Sequence, residues 1–87
     1  MFYVYVLRSK KKQTQIYVGY SADLKQRFSQ HNSGKSRATK PYVPWELLFY
    51  EAYKSQVDAK RREQYLKTTN GRKTLKIMLH DSFKCNG

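Results

Sequence analysis

Residues 2–20 read FYVYVLRSKKKQTQIYVGY, two strand-forming runs on either side of a polar, lysine-rich middle. From Phe2 to Leu7 every residue is β-branched, aromatic or leucine. A period of two puts Tyr3, Tyr5 and Leu7 on one face and Phe2, Val4 and Val6 on the other. Ile16 to Tyr20 is a second run of the same kind. Arg8 to Gln15 between them is long enough for a loose hairpin, which makes the two strands antiparallel neighbours. The apolar stretch comes before the first charges rather than after them, the order of a strand and not of a secretory signal.

Downstream, Ser21 is the expected N-cap of a helix over about residues 22–33. Leu24, Phe28 and His31 recur there at helical spacing, and Asn32-Ser33-Gly34 is the stop. Lys35 to Pro44, charged and carrying both prolines, is expected to be a surface loop. Trp45 to Tyr53 is a third strand, with Leu47, Phe49 and Glu51 alternating against Leu48, Tyr50 and Ala52. Ser55 opens another helix, with Asp58 in the capping-box position, that runs towards Thr68 and is broken at Asn70-Gly71. Arg72 to His80 reads as a short last helix burying Leu75, Met78 and Leu79, followed by frayed residues. The order β-β-α-β-α-α predicts an α+β fold, a three-stranded and largely antiparallel sheet flanked by helices. Residues 1–87 are expected to form a single domain.

Lys and Arg number 18 against 6 Asp and Glu, a formal net charge of +12. A polyanion is the natural partner of such a chain. A membrane is a poor one, because no segment pairs a basic face with a continuous apolar face and no apolar run approaches spanning length. The one cysteine, Cys85, allows neither an internal disulfide nor a thiolate metal cluster, which points to a reducing, cytoplasmic setting.

The six carboxylates, Asp23, Glu46, Glu51, Asp58, Glu63 and Asp81, are thinly spread. That argues against a two-metal nuclease, which needs several acids converging on a pair of ions, and leaves a one-metal site open. Glu63 stands out amid Lys60, Arg61 and Arg62, on the same helical stripe as Ala59 and Leu66, so its carboxylate should edge towards the protein body. The bland alternative is an i,i+4 ion pair with Lys67. Arg27 and His31 sit four apart, beside the buried stripe of Leu24 and Phe28, and would make a phosphate clamp. The guanidinium fork suits phosphate oxygens and the imidazole can orient a water or share a proton. Otherwise Arg27 is solvated and His31 complements the negative end of its helix. Of the eight tyrosines, Tyr3, Tyr5, Tyr17 and Tyr20 lie on the first hairpin, where core packing and base stacking are the ordinary uses. Gly19, inside a strand, marks a bulge or a place where something approaches the backbone, and a phosphate of a bound nucleic acid would fit.

Tyr3-Val4-Tyr5, then Tyr17-Val18-Gly19, then Asp23-Leu24, Arg27 and His31, with the Trp45 strand and the Glu63 helix following, resembles the GIY-YIG nuclease family over nearly the whole chain. The closest likeness is to its small stand-alone bacterial branch. The resemblance implies a three-stranded antiparallel sheet with flanking helices and one divalent metal, Mg2+ or Mn2+, held chiefly by a single glutamate. It makes Tyr5 and Tyr17 the tyrosines of the two tripeptides and Glu63 the metal ligand. Arg27 would steady the phosphate, and His31 would position a tyrosine or the attacking water. The family's first glycine is Tyr3 here, and Asn70 lies too near Glu63 to match the family's later asparagine.

The expected activity is metal-dependent hydrolysis of a DNA phosphodiester by a water that Tyr5 or Tyr17 deprotonates. A free tyrosine has a pKa near 10, so only about one in a thousand is phenolate at pH 7, and cations nearby are expected to lower that value. Lys10, Lys11, Lys12, Lys35, Arg37 and Lys40 are expected to guide the strand. The rival is a module that keeps the fold and binds nucleic acid without cutting it; a third class is a scaffold among protein partners, with little affinity for naked nucleic acid. No base-reading motif is visible, which leaves specificity open to a protein partner.

Overall fold

β1 (Phe2–Ser9) is the middle strand of a three-stranded sheet of order β2-β1-β3, antiparallel to both β2 (Ile16–Ser21) and β3 (Trp45–Tyr53). The computed structural model describes residues 1–84; Cys85 and the two residues after it lie outside the described residues. The helices are α1 (Leu24–Asn32), α2 (Gln56–Leu66), α3 (Thr69–Met78) and α4 (His80–Lys84), with a turn of 3-10 helix at Lys40–Tyr42. This is the α+β architecture expected. Among the described residues no helix is long and apolar enough to cross a membrane.

The period-two pattern of β1 sends its side chains into two separate cores. Val4 and Val6 pack with Val18, Ala59, Leu66, Leu75 and Leu79 under α2 and α3. Tyr5 and Leu7 pack with Trp45, against Tyr17, Leu24, Phe28, Tyr42 and Val43, on the face covered by α1 and the following loop. Burial on both faces is why the strand is apolar almost throughout. Each of its aliphatic side chains gains about 1.5–3 kcal/mol over an exposed position. One charge lies inside this strand. Arg8, 2% exposed, donates through Nε to Glu46 Oε1 at 2.7 Å and through Nη1 to the Phe83 carbonyl at 3.0 Å, fastening α4 to the sheet.

Four local expectations change. The register slips between Val6 and Leu7, opposite Phe49 and Leu47, so Leu48 is an extra residue in β3. The bulge turns both Leu48 and Phe49 onto the α2 side, and the strict alternation read for this strand ends there. α1 is capped by Asp23, whose side chain accepts from the Gln26 amide; Ser21 closes β2 and its Oγ accepts from the Asp23 amide at 2.9 Å. Asn70-Gly71 is not the break after α2. Thr68 caps α3 by accepting from the Gly71 amide at 3.0 Å, and Gly71 is buried in the first turn. A Cβ there would stand 2.6 Å from Leu66 Cα, so glycine is what lets α3 cross the end of α2. Finally α4 forms where fraying was expected, and Arg8 is what holds it. Ser55 caps α2 as read, accepting from the Asp58 amide at 3.3 Å, while the Asp58 carboxylate turns to Arg61 at 3.2 Å.

Candidate functional site

Tyr5 is the side chain on which the site is built. It stands at the centre of β1, 1% exposed, directly across from Gly19 of β2. A Cβ at Gly19 would lie 2.8 Å from Tyr5 Cε2 and nearer still to Cζ and the hydroxyl. What approaches the Gly19 backbone is therefore the Tyr5 ring, where a phosphate had been expected. Missing one methyl on β2 lets the phenol lie flat over the edge strand and reach α1.

There the Tyr5 hydroxyl meets His31 Nε2 at 2.8 Å, and His31 Nδ1 meets Thr39 Oγ1 at 2.8 Å. Thr39 Oγ1 also donates to the Ser36 carbonyl at 3.4 Å. Arg27, one turn before His31 on α1, donates through Nη1 to Gln30 Oε1 at 3.2 Å, and its charge acts on the Tyr5 phenol. One tautomer satisfies every group. With the proton on Nδ1, His31 donates to Thr39, whose own hydroxyl proton goes to the Ser36 carbonyl, and Nε2 accepts from the Tyr5 hydroxyl. The other tautomer would aim the Nε2 proton at the Tyr5 oxygen and leave the phenolic proton without an acceptor.

The electrostatics follow from burial. His31 is fully buried, and desolvation, helped by the Arg27 charge, pulls its pKa from 6.5 down to about 4. It is a neutral imidazole with both nitrogens occupied. The expectation that it shares protons or orients a water near neutral pH gives way to a positioning role on Tyr5, and the reading of His31 as a cation at the helix end fails for the same reason. Desolvation likewise pushes the Tyr5 phenol up to about 12, against the nearby Arg27 cation that lowers it. The expected direction was down; here the lost hydration of a buried phenolate outweighs one nearby cation.

Tyr17 differs. It is half-buried, its ring 4.9 Å from the His31 ring and 6.4 Å from that of Tyr5, and among the described residues its hydroxyl has no hydrogen-bond partner. From α2 the Glu63 charge, like those of Tyr17 and Arg27, acts on the Tyr5 phenol. The Glu63 side chain is 19% exposed, and Lys67 Nζ lies 3.2 Å from Oε2, so the i,i+4 pair is formed as well. Positions 5, 17 and 31 thus come together from β1, β2 and α1, with the charges at 27 and 63 acting on Tyr5.

Four of the other five acids are committed elsewhere. Glu46 binds Arg8, Glu51 binds Arg62 at 2.9 Å and takes the Tyr53 hydroxyl, and Asp58 binds Arg61. Asp23 caps α1 and Asp81 sits beside His80. Among the described residues no three His, Cys, Asp or Glu side chains group as metal ligands. A lone, mostly buried carboxylate fits a hard cation of the Mg2+ type, which keeps several waters and takes one or two protein carboxylates plus phosphate oxygens.

The basic loops lie outside this cluster. Lys10, Lys11, Lys12, Lys35, Arg37 and Lys40 are all exposed. Ser9 Oγ joins the two loops that carry them, donating to the Tyr42 carbonyl at 2.6 Å and accepting from the Lys11 and Lys12 amides. The loop after α1 is less free than its composition suggests, because Thr39 is buried and its carbonyl accepts from Trp45 Nε1 at 2.9 Å. Asn32 brackets the Trp45 backbone, donating to its carbonyl at 3.0 Å and accepting from its amide at 2.5 Å. Thr39 and Asn32 carried no signal in the sequence beyond polar residues in a loop and a helix stop.

Residues 1–76 match the family model described as the GIY-YIG catalytic domain. The "UPF0213 protein SH2523" of Staphylococcus haemolyticus (strain JCSC1435) is 35% identical over 77 residues, covering 87% of this chain and 92% of that protein. The "UPF0213 protein in ldhD 5'region" of Pediococcus acidilactici is 37% identical over 80 residues, 88% of this chain and 80% of that one. The "UPF0213 protein SpyM50708" of Streptococcus pyogenes serotype M5 (strain Manfredo) is 37% identical over 87 residues, with coverages of 97% and 92%.

Proposed function

Because this chain belongs to the GIY-YIG catalytic-domain family, whose activity is in general that of a nuclease, we propose that it is a cytoplasmic, single-domain endonuclease that hydrolyses DNA phosphodiesters with one divalent metal ion. The observation that carries this reading is the packing of Tyr5, Tyr17 and His31 with the Arg27 and Glu63 charges acting on the Tyr5 phenol, while Glu46, Glu51 and Asp58 are paired elsewhere.

On this reading each residue has a distinct part. Arg27 keeps several N–H groups beyond the one given to Gln30 and binds a non-bridging phosphate oxygen with them. Tyr5, its proton held towards His31, stays a neutral phenol beside the Arg27 charge rather than acting as base. Tyr17, whose hydroxyl has no hydrogen-bond partner among the described residues, gives its own proton to solvent and as phenolate takes the proton of the attacking water, which favours it over Tyr5 as the base. Glu63 would hold the metal, Mg2+ or Mn2+, which supplies charge neutralisation at the phosphate when bound. Lys67, about half exposed and held only by a surface ion pair, swings away to release the carboxylate. The six loop cations hold the flanking backbone, and a protein partner supplies sequence preference.

That same Lys67–Glu63 pair favours a second reading, a module that binds nucleic acid without cutting, in which the lysine stands where the metal would. Incubating the protein and its Glu63→Ala variant with labelled single-stranded, duplex and branched DNA and with RNA, in magnesium, manganese or chelator, separates the two. Metal-dependent products that vanish in the variant support the nuclease. Binding with no products on any substrate leaves the module.

A further inference from the structure

Behind the sheet, on the face away from Tyr5 and Tyr17, lies a groove of about 690 Å3 between the β1–β2 turn and the last two helices. Its floor is Ile16 and Phe83, both packed on the core of Val4, Val6 and Leu75. Its rim is cationic: Arg72 and Lys76, one turn apart on α3, and Lys84 on α4. Among the described residues none of these three cations forms an ion pair; the acid nearby, Asp81, is fully exposed and sits 3.5 Å from His80. Three cations without an ion-pair partner among the described residues, around an aliphatic and aromatic floor, suit a ligand that is flat and apolar on one side and anionic on the other. A nucleotide with its base unstacked has that form, with the ring against Phe83 and the phosphate on the rim.

The β1–β2 turn connects this groove to the other face. Gln13 and Thr14 form part of its wall. Earlier in the same turn, the Lys10 amide donates to the Pro44 carbonyl at 2.8 Å and Lys11 Nζ reaches the Pro41 carbonyl at 3.5 Å, in the loop that covers the Tyr5 face. Lys10, Lys11 and Lys12 therefore make a short basic bridge between the candidate site and the groove. We propose that the groove is a second nucleic-acid subsite, which takes an unstacked nucleotide from a single-stranded segment that flanks the duplex at the catalytic face and crosses the turn. This rests on the nuclease reading for the polymer it names, and adds that the substrate carries a single-stranded flank.

The test is equilibrium binding of the whole chain, in chelator so that nothing is cut, to fluorescein-labelled duplex DNA with no tail or with thymidine tails of increasing length on either the 3′ or the 5′ strand. Beyond the length that spans the turn, a tail of one polarity should raise affinity about tenfold, as one stacked base does. Arg72→Ala with Lys76→Ala should abolish that gain and lower the salt slope on the tailed probe by about 1.4, two single-strand phosphates' worth, leaving the blunt duplex unchanged. Lys76→Glu, a change at an exposed position, should do the same in part with no loss of folding. Tails that add nothing, or variants that weaken blunt and tailed probes equally, overturn the groove assignment alone. No binding to any probe by the unaltered chain overturns the nucleic-acid reading and the groove with it.

Discussion

Acid should weaken this protein through His31. In the folded state its pKa is about 4, against 6.5 for an unburdened imidazole, because the ring is fully buried and faces the Arg27 charge. Between those values the unfolded chain carries a proton at this position and the folded chain does not, so stability rises with pH across the window. Going down in pH, the loss begins near 6.5 and is complete near 4. At 1.36 kcal/mol per unit it amounts to about 3 kcal/mol, a large part of the 5–15 kcal/mol typical of a small domain. Urea unfolding of the wild type and His31→Gln at steps from pH 7.5 to 4 isolates the effect, since the carboxylates contribute to both. The wild type should lose about 1.4 kcal/mol per pH unit more than the variant inside the window. The His31 ring protons, followed by NMR, should not titrate above pH 5. Parallel stability curves, or a His31 titration near 6.5, would refute the buried Tyr5–His31–Thr39 chain.

Gly19→Ala drives a methyl into the Tyr5 ring. It should cost about 1–3 kcal/mol as overpacking, read as a lower urea midpoint, and an unchanged midpoint would mean the ring does not lie there. Tyr17→Phe should leave unfolding and oligonucleotide affinity as they are and cut turnover by about 10²–10⁴-fold, whereas Tyr5→Phe should also destabilise by about 1–3 kcal/mol because His31 Nε2 loses its donor. If Tyr17→Phe keeps full turnover, the base is another group. Arg8→Met strands Glu46 and the Phe83 carbonyl and should cost about 3–5 kcal/mol, with most of it recovered in Arg8→Met/Glu46→Leu. A double-mutant cycle with no coupling would contradict the buried pair.

Much of the sheet was legible because hairpin and alternation obey one rule, the period of two, and both runs of residues 2–20 follow it. β3 was harder. Leu47, Leu48 and Phe49 are all apolar, so hydrophobicity could not show where the bulge falls. Asn70-Gly71 has the composition of a turn, yet Gly71 keeps a helical backbone and is needed for its size, a choice that depends on α2 lying against it. Gly19 carried a true signal, a close approach, whose occupant only the cross-strand register with Tyr5 identifies. Glu63 and Arg27 could be picked out by helical spacing and by resemblance. Burial could not be read in the same way, and it is burial that makes His31 neutral and raises the Tyr5 phenol instead of lowering it. Arg8 and Thr39 look like surface residues in one dimension because their partners, Glu46 and His31, are distant in sequence or hidden by a loop.

Everything proposed for the chemistry depends on a single ion settling at Glu63 beside Tyr17 and Arg27. Manganese added to isotope-labelled protein, with an oligonucleotide whose phosphodiesters resist cleavage, reports the ion's place through paramagnetic broadening of nearby NMR signals. Broadening should centre on the Glu63 side chain, take in Tyr17 and Arg27, spare α3 and α4, and disappear in Glu63→Ala. Broadening that persists in that variant, or that centres on Asp81 and His80, would contradict the account.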